Sequence, residues 1–330
     1  MEKCLVMVVL ISVMIFSAIA VPRKGKLNHI IREANDEGPY IGLITVISLE
    51  EAAIFATGAF KPHPKHPFLD LSGRRFRVGK IHDKKVIYVR CGAGMANAVA
   101  ATQQMVDVFE IVGIVHFGIA GNANNSMSIG DVTIPKQLAH TALWDWVNPN
   151  GGLPANDVAE LDFKSYNVPI GEDNLLGHIG FSSEQFFSDS QKPGIDLPLF
   201  WANVSHHWLQ LATKLEGMEL EQCVNRSSCL EEKPKVVVGL RASTSNIFVD
   251  NAAYRNFLSH TLNVSSVDME SSAVVMTSLS NGFPVIVIRG LSDLAGSQSG
   301  PNVVRIFGSL AALNAAKAVL RFLDLLPTYA

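Results

Sequence analysis

The chain has 330 residues, 48% of them hydrophobic and 17% charged, with a formal net charge of −3. Such a chain can bury a large core, which excludes a disordered segment and leaves one large α/β domain or two small ones. Lysine and arginine are scattered outside one short basic segment after the N-terminus, so no nucleic-acid footprint exists and a small, mostly neutral ligand is expected.

In chain order, Lys3 precedes an apolar run from Cys4 to Ala20, broken only by Ser12 and Ser17 and closed by Ala18-Ile19-Ala20 before Val21. This pattern predicts a secretory signal peptide over 1–20, with an uncleaved anchor as the alternative. No later run matches it in length and apolarity, so the processed chain is expected to be free of the membrane. Residues 21–38 read as a polar leader into a domain over 39–330.

Tyr40 to Ile47 is a strand-like run feeding a helical stretch from Leu49 to about Thr57. Lys61 to Pro67, with three prolines and two histidines, reads as a loop and not as a metal site. A hairpin follows over Phe76–Val78 and Val86–Arg90, then the turn Cys91-Gly92-Ala93-Gly94 and a helix from about Ala96 to Phe109. Ile111 to Phe117 is a further apolar run, ended by Gly118-Ile119-Ala120-Gly121. Runs buried on both faces and alternating with helices predict a sheet between two helical layers.

Residues 145–232 are rich in Asn, Gly, Pro and Ser, with a weak helical stretch near Trp208 to Leu215, and read as an insertion within the domain. Regular structure resumes at Lys235 to Arg241, then a helix from Met269, the strand Val285 to Arg289 and a long amphipathic helix from about Asn302 to Leu325. Sequons at Asn124, Asn203, Asn225 and Asn263 are glycosylation acceptors in a secreted chain, although such triplets also arise by chance. Cys223 and Cys229 flank a polar loop and are the expected disulfide pair of an oxidising compartment. Cys91 reads as a packed small residue in preference to a nucleophile, and no metal or cofactor is expected.

Three carboxylates stand out. Glu50 follows the first strand, and Glu270 opens a helix in Val267-Asp268-Met269-Glu270-Ser271-Ser272-Ala273. Asp293 ends Arg289-Gly290-Leu291-Ser292-Asp293 at the C-terminal edge of a strand, where open α/β sheets bind ligands. Glu270 can accept two hydrogen bonds from neighbouring sugar hydroxyls, or it is an acid favoured by the helix dipole. Asp293, with Ser292 to orient it, is a proton donor of raised pKa or a turn cap. The glycines of 92–94 and 118–121 let backbone N–H groups approach a ligand or serve tight turns. Neither segment carries a dinucleotide or P-loop fingerprint.

Together, the Met-Glu pair in VDMES, the Ser-Asp in RGLSD and FGIAG followed by Ile129-Gly130-Asp131 give a clear resemblance. The chain resembles the purine nucleoside phosphorylase and methylthioadenosine/S-adenosylhomocysteine nucleosidase superfamily from about Tyr40 to the last helix. With its leader it is most similar to that superfamily's plant vegetative or bark storage proteins. The resemblance implies a three-layer α/β/α phosphorylase-type fold with a central mixed twisted sheet, and a homo-oligomer.

It also implies roles. Glu270 would hold the ribose 2′ and 3′ hydroxyls with Met269 beside the sugar, and Asp293 would protonate the purine N7. Phe248, followed by Val249, would stack on the base, and Glu50 would activate water, with Ala120, Gly121 and Ser292 lining the site. His116 stands where the phosphorylases keep an arginine, and no other arginine falls near the first turn, so hydrolysis is expected over phosphorolysis. Ile119 replaces a Ser or Thr that would position the nucleophile, and Asn246 replaces an acid common in base recognition. The expected function is therefore purine nucleoside binding with hydrolysis of the N-ribosidic bond. The alternatives are a nitrogen-reserve storage protein with a relic pocket, vacuolar or extracellular, and a nucleoside or cytokinin binder without catalysis.

Overall fold

The computed structural model describes residues 25, 27–148, 151–152, 154–155, 157–162, 177–296 and 304–329. The signal peptide expected over 1–20 lies outside the described residues, as do 21–24 of the leader and part of the 145–232 segment. A first helix, α1 (27–36), leads into β1 (Tyr40–Thr45) and α2 (Ser48–Ala56). The antiparallel ribbon comprises β2 (Phe60–Pro62), β3 (Phe68–Leu71), β4 (Arg74–Ile81) and β5 (Lys84–Arg90), followed by α3 (Met95–Val108) and β6 (Ile111–Asn122). The proline-rich stretch expected to be a loop therefore begins inside β2, which pairs with β4 from Phe60 to Pro62.

β1 is parallel to β5 on one side and to β6 on the other. β6 continues beside β20 (Val285–Leu294), parallel to it, while its far end pairs antiparallel with β19 (Ser266–Asp268). Gly118-Ile119-Ala120-Gly121 is consequently strand, not a turn. β20 pairs with all four of these residues, so their backbone is drawn into the ladder.

The sheet is buried on both faces, and the period-two alternation of strand side chains assigns neighbouring residues to opposite layers. Ile44, Ile87, Val89, Ile114 and Val287 pack under α3 and α6 (Ser271–Ser280), against Ala98, Met105 and Val274. Ile41, Leu43, Tyr88, Phe117 and Ile288 pack under α2 and α7 (Val304–Leu325), against Ile54, Val319 and Phe322. The fold is thus three-layer α/β/α around a mixed sheet. α7 is long and apolar enough to cross a membrane by composition, but most of its apolar stretch is buried in this core. Gly290 permits that packing, because a Cβ there would collide with the carbonyl group of Ala311 in α7.

Two further strands extend the sheet beyond β6: β7 (Val132–Ile134), antiparallel to β20, and β8 (Gln137–His140). The described part of 145–232 divides in two. β9 (Trp144–Val147), β10 (Ala159–Asp162) and β11 (His178–Phe181) form a small separate sheet, and β12 (Glu184–Phe186) pairs with β13 (Leu197–Leu199). By contrast, β14 (Trp201–Asn203) joins the main sheet beside β8. Its successor α4 (His206–Ala212) sends Trp208 into the core, 5.7 Å from the Phe322 ring.

A hairpin of β15 (Cys223–Asn225) and β16 (Ser228–Cys229) carries the Cys223–Cys229 disulfide. β17 (Val236–Val238) runs parallel to β7. β18 (Arg241–Thr244) lies between β8 and β19, and α5 (Ala252–Leu262) connects it to the latter. Of the sequon asparagines, Asn203, Asn225 and Asn263 are exposed and Asn124 is partly so.

Candidate functional site

Four segments meet where β1, β6, β19 and β20 end, and they enclose a cavity of about 240 Å³. Glu50, Glu270, Met269, Asp293, Ser292, Phe248, Val249, Ala120 and Gly121, all expected from sequence, line this one cavity. Val46, Ile47, Ala93, Ile119, Ile247 and Asp268 complete most of the wall.

Glu50 sits in the first turn of α2, folded back under β1. Its Oε2 accepts the N–H groups of Val46 (2.6 Å) and Ile47 (3.0 Å), and its Oε1 accepts that of Ile119 (2.8 Å). Glu270 occupies the N-cap position of α6, whose first residue, Ser271, lies two residues after the helix start expected at Met269. Its Oε1 accepts the Gly94 N–H at 2.8 Å. One backbone amide of each glycine segment therefore holds a carboxylate, Gly94 N–H on Glu270 and Ile119 N–H on Glu50. Glycine at 118 also has a steric cause: a Cβ there would sit on Glu50 Oε1 and 2.7 Å from Arg289 Nη1. Gly118→Ala is expected to cost about 1–3 kcal/mol of stability by overpacking. Urea unfolding checks this, and an unchanged midpoint would mean that Glu50 moves aside freely.

Beneath the cavity lies a charge cluster built on Arg289, which is wholly buried. Its Nε donates to Ser271 Oγ (3.0 Å) and lies 3.4 Å from Asp268 Oδ2. Nη2 is 3.5 Å from Glu270 Oε2, and Nη1 is 3.9 Å from Glu50 Oε1 while donating to the Ile119 carbonyl (3.2 Å). Asp268 Oδ1 accepts from Thr244 Oγ1 and from the N–H groups of Glu270 and Ser271. One guanidinium thus serves three carboxylates, a deficit that titration must absorb.

Burial raises the Glu50 pKa against the opposing pull of Arg289. Glu270 is pushed up to about 7, chiefly by burial, with Asp268 adding to it and Arg289 opposing. Burial also acts to raise Asp268, but Arg289 and the hydrogen bonds at Oδ1 outweigh it and leave this acid lowered and ionised. These neighbours hold the Arg289 pKa up although burial alone would lower it.

From the sequence no other arginine is expected near the first turn to stand in for the one His116 replaces, and here the structure corrects that expectation. β20 runs beside β6 with Arg289 opposite Gly118, which carries the guanidinium under the FGIAG segment. The available clue was a lone arginine closing an apolar strand buried on both faces, a position that demands buried anions. His116 is likewise not a ligand of the cavity. It is wholly buried, its Nε2 accepts from Arg289 Nη2 (2.6 Å), and its Nδ1–H donates to the Ile44 carbonyl (3.0 Å). Burial first, and the adjacent guanidinium second, push its pKa down to about 3, so it is neutral.

Asp293 is the penultimate residue of β20 and lines the cavity. The register slips between Leu291 and Asp293, so Ser292 is the extra residue of a β-bulge that re-aims the carboxyl group. Ser292 Oγ donates to Asp293 Oδ1 at 2.7 Å, and burial raises the Asp293 pKa, with Asp250 adding to the effect. Phe248 is more than half exposed at the mouth. Asn246 is turned away: its Oδ1 accepts the Met95 N–H at the start of α3 (2.8 Å). Cys91 is buried, and its thiol is pushed up to about 12 by that burial. Among the described residues no group of three or more His, Cys, Asp or Glu side chains is placed to hold a metal.

The Phosphorylase superfamily model matches residues 40–324. The chain is 32% identical over 290 residues to bark storage protein A of Populus deltoides, covering 87% of this chain and 89% of that protein. It is 27% identical over 252 residues to the 5′-methylthioadenosine/S-adenosylhomocysteine nucleosidase of Mycobacterium bovis, covering 76% and 86%. The solved nucleosidase of the same name from Colwellia psychrerythraea, in complex with adenine, shares the fold with a TM-score of 0.60 at 21% identity, over 87% and 95% of the two chains. A match that runs from the first residue of β1 almost to the end of α7 takes in every element that builds the cavity, and the chain belongs to the phosphorylase superfamily.

Proposed function

We propose that the cavity binds a purine nucleoside and hydrolyses its N-ribosidic bond. The observation that carries this reading is the convergence of Glu50, Glu270 and Asp293 on one cavity with an aromatic ring at its mouth. Oε2 of Glu270 faces Arg289 and is not taken by an amide, which suits it to accept the ribose hydroxyls. Asp293, whose pKa burial raises, is the proton donor to the departing purine, and Phe248 stacks on the base. An oxocarbenium-like sugar between two carboxyl groups follows the logic of glycoside hydrolysis. The nucleosidase relatives support the nucleoside class, as does the adenine bound by the Colwellia protein.

Water is favoured over phosphate as the nucleophile because no lysine or arginine side chain lines the cavity among the described residues. Leader-free protein incubated with adenosine, inosine and methylthioadenosine is expected to release free base without added phosphate. Release only with phosphate would overturn the hydrolytic reading. Affinity for adenosine should also fall about tenfold per pH unit below about 7, as Glu270 takes up a proton and loses acceptor capacity. Calorimetry between pH 5.5 and 8 on Asp293→Asn protein, which avoids turnover, tests this; a flat profile would remove Glu270 from ribose recognition.

A second reading, a storage protein with a relic pocket, is favoured by Ile119. Its side chain lines the cavity where a hydroxyl would hold water. The bark storage relatives support it too. On either reading the chain enters the secretory route toward a vacuole or the cell exterior, with glycans at Asn203, Asn225 and Asn263 and a homo-oligomeric assembly. The apolar N-terminal run, the exposed sequons and the Cys223–Cys229 disulfide support that route.

A further inference from the structure

No phosphate-binding fingerprint occurs in the sequence, yet four arginines meet beside the cavity. Arg74, Arg75 and Arg77 come from β4 and Arg90 from the end of β5. They line a second cleft whose wall, Val46, Ile47 and Ala93, is shared with the nucleoside cavity. Arg75 is spent on Asp70 in a two-pronged contact of 2.8 Å each. Arg77 and Arg90 share a single carboxylate, Glu51, at 3.3 and 3.4 Å. The buried Nε of Arg77 has no hydrogen-bond partner, and Arg90 is exposed. Four guanidinium groups thus face two carboxylates, Asp70 and Glu51, a surplus of two positive charges with donors to spare.

The cleft lies at the ribose end. Glu270, the proposed ribose clamp, accepts the Gly94 N–H, and the other end of that same turn is held by Arg74, whose Nε donates to the Cys91 carbonyl at 3.2 Å. A substituent leaving the sugar over Ile47 and Ala93 therefore enters the arginines. We propose that this cleft binds a phosphate carried on the 5′ carbon, so that the preferred ligand is a purine nucleoside 5′-monophosphate. The inference rests on the nucleoside reading of the main cavity. A surplus of two charges suits a dianion, and guanidinium donors suit phosphate oxygens; a zwitterionic amino-acid tail would leave that surplus unmatched.

Calorimetry with adenosine, adenosine 5′-monophosphate and S-adenosylhomocysteine on Asp293→Asn protein tests it. The monophosphate is expected to bind at least about tenfold more tightly than adenosine, the size of one charge-assisted contact. That advantage should vanish in Arg90→Gln and Arg77→Gln, with adenosine affinity unchanged and thermal melting confirming the fold of each. Adenosine binding without any gain from the phosphate would overturn the inference and spare the nucleoside reading. An equal gain for S-adenosylhomocysteine would overturn the phosphate assignment. Monophosphate binding that ignores Glu270→Gln would separate the cleft from the cavity and overturn their union, and failure of all three ligands would overturn both readings.

Discussion

Asp293→Asn is expected to slow release of free base from a purine nucleoside by about 10²–10⁴-fold, the usual worth of a positioned general acid. The variant keeps the shape of the side chain, and the Ser292 hydroxyl still has an oxygen to donate to, as it does to Oδ1 in the wild type. What it loses is the carboxyl proton donor that the leaving purine requires and that the burial-raised pKa of Asp293 favours. Affinity for adenosine should change little, because Glu270 and Phe248 are untouched. Single-turnover base release followed by chromatography, beside an adenosine titration, separates the two effects. An unchanged rate would remove Asp293 from the chemistry. Wild-type protein that binds adenosine but releases no base would favour the relic pocket with Ile119 in place of a hydroxyl.

Arg289→Met should cost about 3–5 kcal/mol of stability near neutral pH. The aliphatic part is kept, but three buried carboxylates lose their common counter-charge, and stranding buried charge is far costlier than losing a surface pair. His116 Nε2 and Ser271 Oγ lose their donor as well. The pH dependence carries the sign. Without the guanidinium, the native-state pKa values of Glu50, Glu270 and Asp268 all rise, since Arg289 lowers each of them.

A carboxyl group whose folded pKa is raised contributes stability that is present below its unfolded pKa and lost as pH rises through the folded value. The gap between wild type and variant should therefore be widest above pH 7 and narrow as pH falls toward 5. Urea unfolding at several pH values measures it. A gap that stays constant would mean that the carboxylates are not what Arg289 neutralises.

Much of this site is legible in the linear order because its parts sit at ends of elements with strong local signals. Apolar runs of Val and Ile end at Thr45 and Arg289, and whatever follows a buried parallel strand lands at the ligand-binding edge. Glu50 and Asp293 could be named on that ground and Glu270 from its place at a helix start, and all three line the cavity. Local signals failed where tertiary pairing overrides them. Gly118 to Gly121 reads as a turn by composition, but two adjacent strands recruit its backbone. Residues 145–232 read as an insertion with only a weak helical stretch near Trp208 to Leu215; that helix is present, but the β8 edge and the Phe322 ring give Trp201–Asn203 and Trp208 partners from distant parts of the chain, which local signals could not show.

Strand period, glycine placement and order of motifs thus determined by themselves the layered fold, the edge of the sheet that carries the site and the three carboxylates at it. Only the tertiary structure decided which charges those carboxylates face. Arg289 meets Glu50 across 239 positions of chain and His116 across 173, and the bulge at Ser292 aims Asp293. Ion pairing and desolvation act through space over a few ångströms, so the titration of the site and the arginine cleft beside it appear only once the strands are side by side.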